Sequence, residues 1–352
     1  MSNPQVRSNL LRKCRIEQNI LDHRVIRRQF PGPMFIYENY TELPEKLRNS
    51  SIAIGNFDGM HQGHREVIKR AGIFAQERGV PWGVLTFEPH PREIFNKEEP
   101  LFRLTPFKMK TRQIKGMGVD FLVVIKFDKE FAKVSADEFV NRVLVHGFEA
   151  SYVVSGFNFA FGYKRAGNTQ FLQIKGEQFG FGTSGIKQVL DDDGKIISST
   201  RIRKFLANGN TRAAANLLGR NFEIEGTVSE GEQRGRKIGF PTANINLDDS
   251  MEVAIGVYAV KVGVDHDSDI VWHDGVSNLG YRPTFNGEKC VLETHILDFN
   301  KDLYGVKLRV ALIEFIRPEQ KFDGIESLTG QIKEDISRSK AILERKQTEE
   351  YI

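Results

Sequence analysis

The sequence predicts an α/β region with a parallel sheet, followed by an all-β region that ends in a helix. Short apolar runs alternate with amphipathic stretches as far as Leu218, and after Gly219 the apolar runs follow one another without helical stretches between them. Helical spacing returns once, over Ile325–Lys346. Strands that alternate with helices are typical of parallel sheets, whereas strands separated only by turns are typical of antiparallel ones. A chain of 352 residues is long enough for two hydrophobic cores.

The elements of the α/β region follow from residue type and spacing. Its short apolar runs are rich in β-branched and aromatic residues and are bounded by Gly or Pro, which favours strands. The stretches between them repeat apolar residues at helical spacing. The predicted strands are Ser51–Ile54, Trp82–Phe87, Phe121–Phe127 and Tyr152–Val154. The predicted helices are Arg65–Arg78, Pro106–Lys115, Ala136–His146, Ser199–Ala207 and Thr211–Leu218.

The all-β region has apolar runs separated by turns that contain Gly, Asn and Asp. This pattern is typical of an antiparallel barrel or sandwich, and it does not choose between the two. The predicted strands are Phe222–Val228, Val257–Val264, Cys290–Asp298 and Lys307–Ile316.

Composition limits the possible classes of protein. With 40% hydrophobic and 27% charged residues the chain is globular rather than disordered or fibrous. Two cysteines, Cys14 and Cys290, exclude a disulfide scaffold and a Cys-rich zinc module, so we expect a reducing, cytoplasmic location. No apolar run approaches the roughly 18 residues of a membrane helix. We therefore expect no membrane partner.

The positive charge is concentrated at the N-terminus. Residues 1–33 hold seven basic and two acidic residues, which gives +5, so the remaining residues sum to −1 against a total of +4. A nucleic-acid-binding body normally carries its own basic excess, so we expect no nucleic-acid partner. A transit peptide and a nucleic-acid-binding arm are both compatible with residues 1–33. We expect instead a basic extension, disordered or upstream of a true start at Met34.

The first candidate site is the segment Gly55–His64, GNFDGMHQGH, between a predicted strand and a predicted helix. Its glycines allow the backbone to approach a ligand, and a helix N-terminus offers N–H groups and a positive dipole end. His61 and His64 lie three residues apart, on one face of the first helical turn. This combination favours a polyphosphate. Such a His pair is also half of a metal site, but the sequence offers no evident third ligand.

The order Gly-x-Phe-Asp-Gly-x-His-x-Gly-His resembles the signature of the HxGH nucleotidyltransferase superfamily, in the form used by bacterial FAD synthetases. Further segments of the same family follow in order: Thr86–Pro91 (TFEPHP), Phe157–Gly162 (FNFAFG) with Arg165 and Gly167, and Ile197–Arg203 (ISSTRIR). The resemblance implies a Rossmann-like domain that transfers an adenylyl group from ATP to FMN. The attacking FMN phosphate is already an anion, so this transfer needs positioning and charge stabilisation rather than a strong base.

The resemblance also implies site residues. Those expected to bind ATP are Gly55, Phe57, Asp58, Gly59, His61, His64, Ser199, Thr200 and Arg203, of which His61, His64 and Arg203 are expected to be catalytic. Those expected to lie toward the flavin are Pro89, His90 and Asn158.

The second candidate site combines a Gly-rich loop with a motif of oxygen donors. The predicted flexible loop contains glycines at every fourth position, Gly231, Gly235 and Gly239. It is not a Walker loop, because the sequence Gly-Lys-Ser/Thr is missing. The segment Pro241-Thr242-Ala243-Asn244 follows, and its hydroxyl and amide oxygens are ligands that Mg²⁺ accepts beside ATP.

The segment Gly239–Asn244, GFPTAN, resembles the riboflavin kinase family. The match extends over Gly256–Ala259, Gly275–Gly280, Arg282–Thr284, Leu292–His295, Leu297–Phe299 and Leu303–Gly305. The resemblance implies a closed β-barrel with a packed helix that phosphorylates riboflavin. ATP is expected to contact Gly231, Gly235, Arg236, Gly239, Thr242 and Asn244, with Mg²⁺ on Thr242 and Asn244.

A kinase that acts on a neutral hydroxyl requires a proton acceptor, and Glu293 matches the family's candidate base. Strand alternation predicts that Glu293 faces the same way as His295. The competing interpretation is that Glu293 only pairs with a surface cation. Arg317 resembles a flavin contact of the family.

The whole chain is thus expected to be a bifunctional riboflavin kinase and FAD synthetase, with riboflavin, FMN and ATP as its small-molecule partners. The expected domains are residues 34–218 for FMN adenylylation and 219–352 for riboflavin phosphorylation.

Three alternatives stay open at this point. One is a kinase with a degenerate first module, since Ala160 stands where many relatives carry a polar or basic residue. The others are a flavin-binding regulator and an adenylyltransferase for pantetheine phosphate or a nicotinamide mononucleotide.

A further motif, Gly180–Gly185, matches the pattern G-x-G-x-x-G. It follows a helical stretch and precedes a strand-like stretch, Ile186–Leu190, which is the wrong order for a dinucleotide fingerprint. We therefore expect a turn there.

Overall fold

The computed structural model describes residues 33–96, 98, 100–230, 234–248, 250–266, 269–284 and 287–349. The basic extension predicted at residues 1–33 lies outside these ranges except for its last residue, and so does Gly231.

Parallel strands form the sheet of the first region. The strands of this region are β1 Phe35–Tyr37, β2 Ser51–Ile54, β3 Trp82–Glu88, β4 Phe121–Lys126, β5 Tyr152–Gly156, β6 Ala160–Phe161, β7 Gly167–Asn168 and β8 Gly182–Ile186. Of these, β6 and β7 form a separate short antiparallel hairpin, and the other six form the parallel sheet. The sheet order is β1-β4-β3-β2-β5-β8. The chain moves from β2 through β3 to β4 on one side and then places β5 on the other side of β2. Ligands of such sheets bind where the strand order reverses, at the carboxyl ends of the strands.

Helices cover this sheet and continue beyond it. They are α1 Gln62–Arg78, α2 Pro91–Phe95, α3 Phe107–Gly116, α4 Ala136–Glu138, α5 Thr169–Phe179, α6 Ser199–Ala207 and α7 Thr211–Leu218. Short 3₁₀ turns occur at Tyr40–Glu42, Glu45–Leu47, Phe131–Lys133 and Tyr163–Arg165. Directly after α4 the chain continues as a π-helix, Phe139–Gly147.

The predicted strands and helices of this region are confirmed, with bounds that differ by a few residues. The helix predicted over Ala136–His146 is mostly of the π type, which hydrophobic spacing does not distinguish. The turn predicted at Gly180–Gly185 is wrong, because Gly182–Ile186 pairs with β5 as an edge strand. A Cβ at Gly182 would collide with the Tyr152 ring, so the glycine permits this close pairing.

The second region is a closed barrel of antiparallel strands in the order β10-β13-β12-β11-β14-β9, which decides between barrel and sandwich. Its strands are β9 Phe222–Ser229, β10 Ala243–Asn246, β11 Gly256–His266, β12 Asp269–Thr284, β13 Gly287–Ile296 and β14 Lys307–Arg317. Helices α8 Arg234–Lys237 and α9 Ile325–Glu349 complete it. The strand pattern missed β10 and β12, which contain several polar residues and, in β12, glycines and a proline.

Alternation along the barrel strands separates two faces. Tyr258 and Val260 of β11 point into the barrel core, together with the fully buried Leu292 of β13. The opposite face of β11 packs under α9 together with β12 and β14, and Leu343 of α9 is fully buried there. The guanidinium of Arg317 holds Asp335 of this helix at 2.7 Å, which fixes α9 to the end of β14.

The two regions share one hydrophobic cluster. Phe102 and Leu104, which precede α3, belong to the same buried cluster as α6, α7 and the barrel interior. The Thr211 hydroxyl donates to the Ile313 carbonyl oxygen at 2.9 Å, so α7 is also bonded to β14. Among the described residues, no helix is both long and apolar enough to cross a membrane.

We predict that Leu292→Ala lowers the free energy of unfolding by about 2–5 kcal/mol, because it leaves a cavity in the barrel core. Leu190→Ala is the matched control, since Leu190 is 50% exposed and its truncation leaves no cavity. Denaturant unfolding of both variants tests this. Equal midpoints for the two would contradict the described core.

Candidate active sites

The first site lies at the carboxyl ends of adjacent parallel strands. The Gly55–His64 segment follows β2, Pro89 and His90 follow β3, and Asn158 follows β5. The segment after β2 is tightly turned: Phe57 and Met60 are buried and adopt φ angles of 51° and 44°. Such left-handed conformations are costly for these residue types and concentrate at functional sites. The topology thus brings the sequence-predicted segments together at the point where strand order reverses.

Asp58 is the buried centre of this segment. Its carboxylate accepts the backbone N–H of Thr105 at 3.0 Å and forms an ion pair with Arg203 of α6. Its backbone oxygen accepts the Ser199 hydroxyl at 2.7 Å. The structure therefore binds the N-terminus of α6 to the loop after β2. Arg203, expected to contact phosphate, is here engaged by a protein carboxylate.

His61 and His64 stack on each other at the N-terminus of α1. Their ring centroids are 3.6 Å apart, and His61 Nδ1 accepts the His64 backbone N–H at 3.3 Å. Because Nδ1 is an acceptor, the proton of the neutral His61 ring lies on Nε2. Burial lowers the pKa of His61 to about 4 and that of His64 well below its usual value. Both rings are therefore neutral N–H donors at neutral pH.

Neither histidine belongs to a metal site within the described residues. No group of three or more His, Cys, Asp or Glu side chains in these ranges is arranged to hold a metal ion. The alternative of a metal half-site therefore gains no third ligand, and the helix N-terminus remains the feature suited to phosphate.

A buried charge network lies under the turn after β3. Lys110 of α3 is completely buried, and its Nζ is 2.6 Å from a carboxylate oxygen of Glu88. Arg103 donates to the same carboxylate at 2.8 Å. Burial alone would raise the pKa of Glu88, but the bond from Arg103 and the charge of Lys110 outweigh it and lower this pKa. Next to them, burial lowers the pKa of His90 to about 4.

The second site surrounds a cavity of about 340 Å³ at the side of the barrel. Arg236, Thr242 and Asn244 line it on one side. The segment from Phe299 to Tyr304 lines it on another. This volume lies in the range of small-molecule pockets. Gly239, in the loop that leads to Thr242, has a φ of 89°, a conformation that favours glycine.

Glu293 lies beside this cavity on the outer face of the barrel. It pairs with Asn244 of β10 on one side and with Asn278 of β12 on the other, so these three side chains share one face. Its carboxylate is 30% exposed and accepts from Arg282 Nε at 3.1 Å. His295 occupies the same face two residues on, as alternation predicts, and its Nδ1 is 2.8 Å from the Pro241 oxygen.

Some predicted residues have structural partners or lie at the surface. Arg317 is engaged by Asp335, and Asn158 and Thr200 are exposed beside the first site. The flavin and ATP contacts expected of these residues stay predictions.

Two family models match the chain in succession: FAD synthetase over residues 43–201 and riboflavin kinase over residues 218–343. The bifunctional riboflavin kinase/FMN adenylyltransferase of Haemophilus influenzae is 39% identical over 301 residues, which are 84% of this chain and 94% of that protein. The Bacillus subtilis protein of the same name is 37% identical over 300 residues, 83% of this chain and 92% of its own. The chain belongs to the bifunctional riboflavin kinase/FMN adenylyltransferase family.

Membership in this family supports both activities. It therefore argues against the three alternatives, which were a kinase alone, a flavin-binding regulator and an adenylyltransferase for another substrate. Among solved structures, a macrolide-efflux protein from Streptococcus pneumoniae has a TM-score of 0.75 at 31% identity. The match covers 87% of this chain and 98% of that one. The likeness therefore extends over both regions of the fold.

Sequence reasoning missed the network of Glu88, Arg103 and Lys110 under the first site. A signal was available for one of them. Lys110 lies four residues before the buried Ile114 and so falls on the inward face of α3, where an unpaired lysine is rare. Glu88 and Arg103 gave no comparable signal, because each is a single charged residue next to a strand end or a loop.

We predict that His61→Gln makes stability less sensitive to acid. In the unfolded chain histidine titrates near its usual pKa of about 6.5, so between pH 6.5 and 4 the unfolded state binds a proton that folded His61 does not. Stability is therefore lost as pH falls through this window, by up to about 1.4 kcal/mol per pH unit for one group. His61→Gln removes that contribution.

Denaturant unfolding between pH 4.5 and 7.5 measures how the free energy of unfolding changes with pH. A Trp272→Phe background leaves Trp82 of the parallel sheet as the one tryptophan, so that its fluorescence reports unfolding of that region. The exposed His146→Gln is the control. An unchanged slope in His61→Gln would rule out a neutral buried ring in the folded state.

Proposed function

We propose that the outer face of the barrel around Glu293 phosphorylates riboflavin, and that the crevice beside β2 adenylylates the resulting FMN. The observation that carries the first assignment is the register that sets Glu293 beside Asn244, which lines the cavity. The stacked, neutral His61 and His64 at the N-terminus of α1 carry the second. Residues 34–218 and 219–352 are the proposed limits of the two catalytic domains.

In the kinase reaction the 5′-hydroxyl oxygen of riboflavin attacks the γ-phosphorus of ATP. As this P–O bond forms, the hydroxyl proton passes to the Glu293 carboxylate, and the bond to the bridging oxygen breaks so that ADP leaves. Arg282 donates to the carboxylate at 3.1 Å and orients it. The surface ion pair and the catalytic base are thus compatible roles of one side chain.

The oxygen donors of Thr242 and Asn244 fit Mg²⁺. Asn244 Nδ2 is 3.5 Å from the Thr242 carbonyl oxygen, so the amide nitrogen faces the chain and the amide oxygen faces away from it. A neutral hydroxyl and an amide oxygen hold Mg²⁺ only together with phosphate oxygens and water, as is usual for this ion beside ATP. Bound there, the ion would neutralise charge on the phosphates. Arg236, Gly235 and Gly239 of the preceding loop, together with Gly231, are proposed to contact ATP.

In the adenylylation reaction an FMN phosphate oxygen attacks the α-phosphorus of ATP, and pyrophosphate leaves with the electron pair of the broken P–O bond. No proton must be removed from the nucleophile. The neutral rings of His61 and His64 donate N–H groups to developing negative charge, and the N-terminus of α1 adds its dipole. Ser199 and Thr200 open α6 as a second phosphate contact, and Arg203 keeps Asp58 and the loop in place.

The flavin of this second reaction is proposed to lie toward Pro89, His90 and Asn158, at the ends of β3 and β5. ATP then occupies Gly55, Phe57 and Gly59 after β2. Gly55 is required there for steric reasons, since a Cβ would lie 2.9 Å from the Phe57 ring. A cytoplasmic location is part of the proposal, because both reactions consume ATP.

We predict that Glu293→Gln lowers kcat for riboflavin phosphorylation by about 100-fold or more, because it removes the proton acceptor. FMN adenylylation by the same preparation should stay unchanged. Glu319→Gln is the matched control, since Glu319 also pairs with Arg282, at 3.6 Å, without the position beside Asn244. Chromatographic separation of riboflavin, FMN and FAD measures both steps. Full kinase activity in Glu293→Gln would remove the base assignment.

We predict that Thr242→Val raises the Mg²⁺ concentration for half-maximal kinase activity several-fold, because the isosteric change removes one oxygen ligand. The Mg²⁺ dependence of FMN adenylylation serves as the internal control and should not move. A parallel change in both dependences would show that Thr242 acts on folding rather than on the kinase metal. Titration of Mg²⁺ at saturating ATP makes the measurement.

A further inference from the structure

Arg220 lies in the connection between the two regions of the chain. It follows Gly219, which ends α7 with a φ of 69°, and precedes β9 of the barrel. It falls inside the segment that matches riboflavin kinase, residues 218–343, and outside the segment that matches FAD synthetase, residues 43–201. By sequence position it therefore belongs to the kinase part.

Its side chain nevertheless reaches the adenylylation loop. Nη2 of Arg220 donates to the Gly59 carbonyl oxygen at 3.0 Å. With the amide orientation that satisfies both groups, the Gln113 oxygen of α3 accepts from Arg220 Nε at 2.8 Å and Nη2 at 2.9 Å. The guanidinium is thus held from the parallel-sheet region on two sides.

The third nitrogen of this guanidinium is not satisfied by the surrounding chain. Nη1 is buried and has no hydrogen-bond partner among the described residues. A buried donor without a partner costs stability, so its retention calls for a role other than folding. Burial lowers the pKa of Arg220 to about 10, and the charge of Glu223 offsets this only in part.

Gly59 is the residue through which Arg220 reaches the reacting groups. It has a φ of 93° and lies two residues before His61, in the turn between β2 and α1. Next to His61, Gln62 Nε2 donates to the Asn216 carbonyl oxygen of α7 at 2.6 Å. Two bonds therefore clamp the turn that presents His61: Arg220, from the kinase part, holds it before the histidine, and Asn216 of α7 holds it after the histidine.

We propose that Arg220 is a positioning residue for FMN adenylylation, supplied to that site by the part of the chain that matches riboflavin kinase. It fixes the Gly59 turn and thereby the place of the His61 ring. Of the charged groups that act on His61, Asp58 raises its pKa and Arg220 lowers it. Loss of Arg220 should therefore both loosen the ring and make it easier to protonate.

The test compares Arg220→Gln and Arg220→Lys in the full chain. We expect Arg220→Gln to lower kcat/KM for FMN adenylylation about 100-fold, the scale of a small misplacement of a catalytic group. Riboflavin phosphorylation in the same preparation should stay within about twofold of the parent, since the loop that Arg220 holds is not part of that site. Arg220→Lys keeps the charge and should recover part of the loss.

The matched control is Arg112→Gln. Arg112 joins the same two regions through ion pairs to Glu223 and Glu225 of β9 but has no bond to Gly59. We expect this variant to keep full adenylylation activity. The pH profile of kcat/KM for FMN gives a second readout: its acid limb should move to higher pH in Arg220→Gln and not in Arg112→Gln.

Each outcome decides the proposal. Selective loss of adenylylation with a shifted acid limb supports it. It is overturned by unchanged adenylylation in Arg220→Gln, by equal loss of both activities together with a lowered melting temperature, or by the same selective loss in Arg112→Gln. Because riboflavin phosphorylation is measured in every sample, failure of the proposal is distinguishable from a chain that lacks flavin activity altogether.

Discussion

One buried carboxylate, that of Asp58, holds the first site together. It closes the loop after β2 onto the backbone at Thr105 and onto Arg203 of α6, two segments far apart in the chain. A buried carboxylate tolerates desolvation only when cations and N–H groups compensate for it, and here both are present. The two helix N-termini expected to face phosphate, those of α1 and α6, are thereby set relative to each other by one side chain.

The two sites solve different chemical problems with different parts of the fold. Adenylylation begins from a nucleophile that is already charged, so we propose that N–H donors at the ends of the parallel strands serve it. Phosphorylation begins from a neutral alcohol and needs a proton acceptor, for which we propose Glu293 on the outer face of the barrel. The neutral histidines of one site and the partly exposed carboxylate of the other are consistent with this division.

Much of this organisation could be predicted from the sequence. Hydrophobic spacing predicted the strands and helices that carry long periodic runs, and motif resemblance selected segments that the structure brings together at the carboxyl ends of β2, β3 and β5. Hydrophobic spacing failed for strands that form because neighbouring strands pair with them rather than because of their own β propensity. Gly182–Ile186 and the glycine-containing β12 are strands because neighbouring strands bond to them, and no local signal indicates this. Contacts such as that of Arg220 with Gly59 could not be predicted, since they join residues 161 positions apart.

The hydrophobic cluster shared by Phe102, Leu104, α6, α7 and the barrel interior has a consequence for how the protein can be divided. A cut between the two family segments would separate the activities in sequence but would leave a bare apolar surface on at least one fragment. Such surfaces invite self-association. The two regions are therefore joined by packing as well as by the chain. Each region covers an apolar surface that the other region would otherwise expose to solvent.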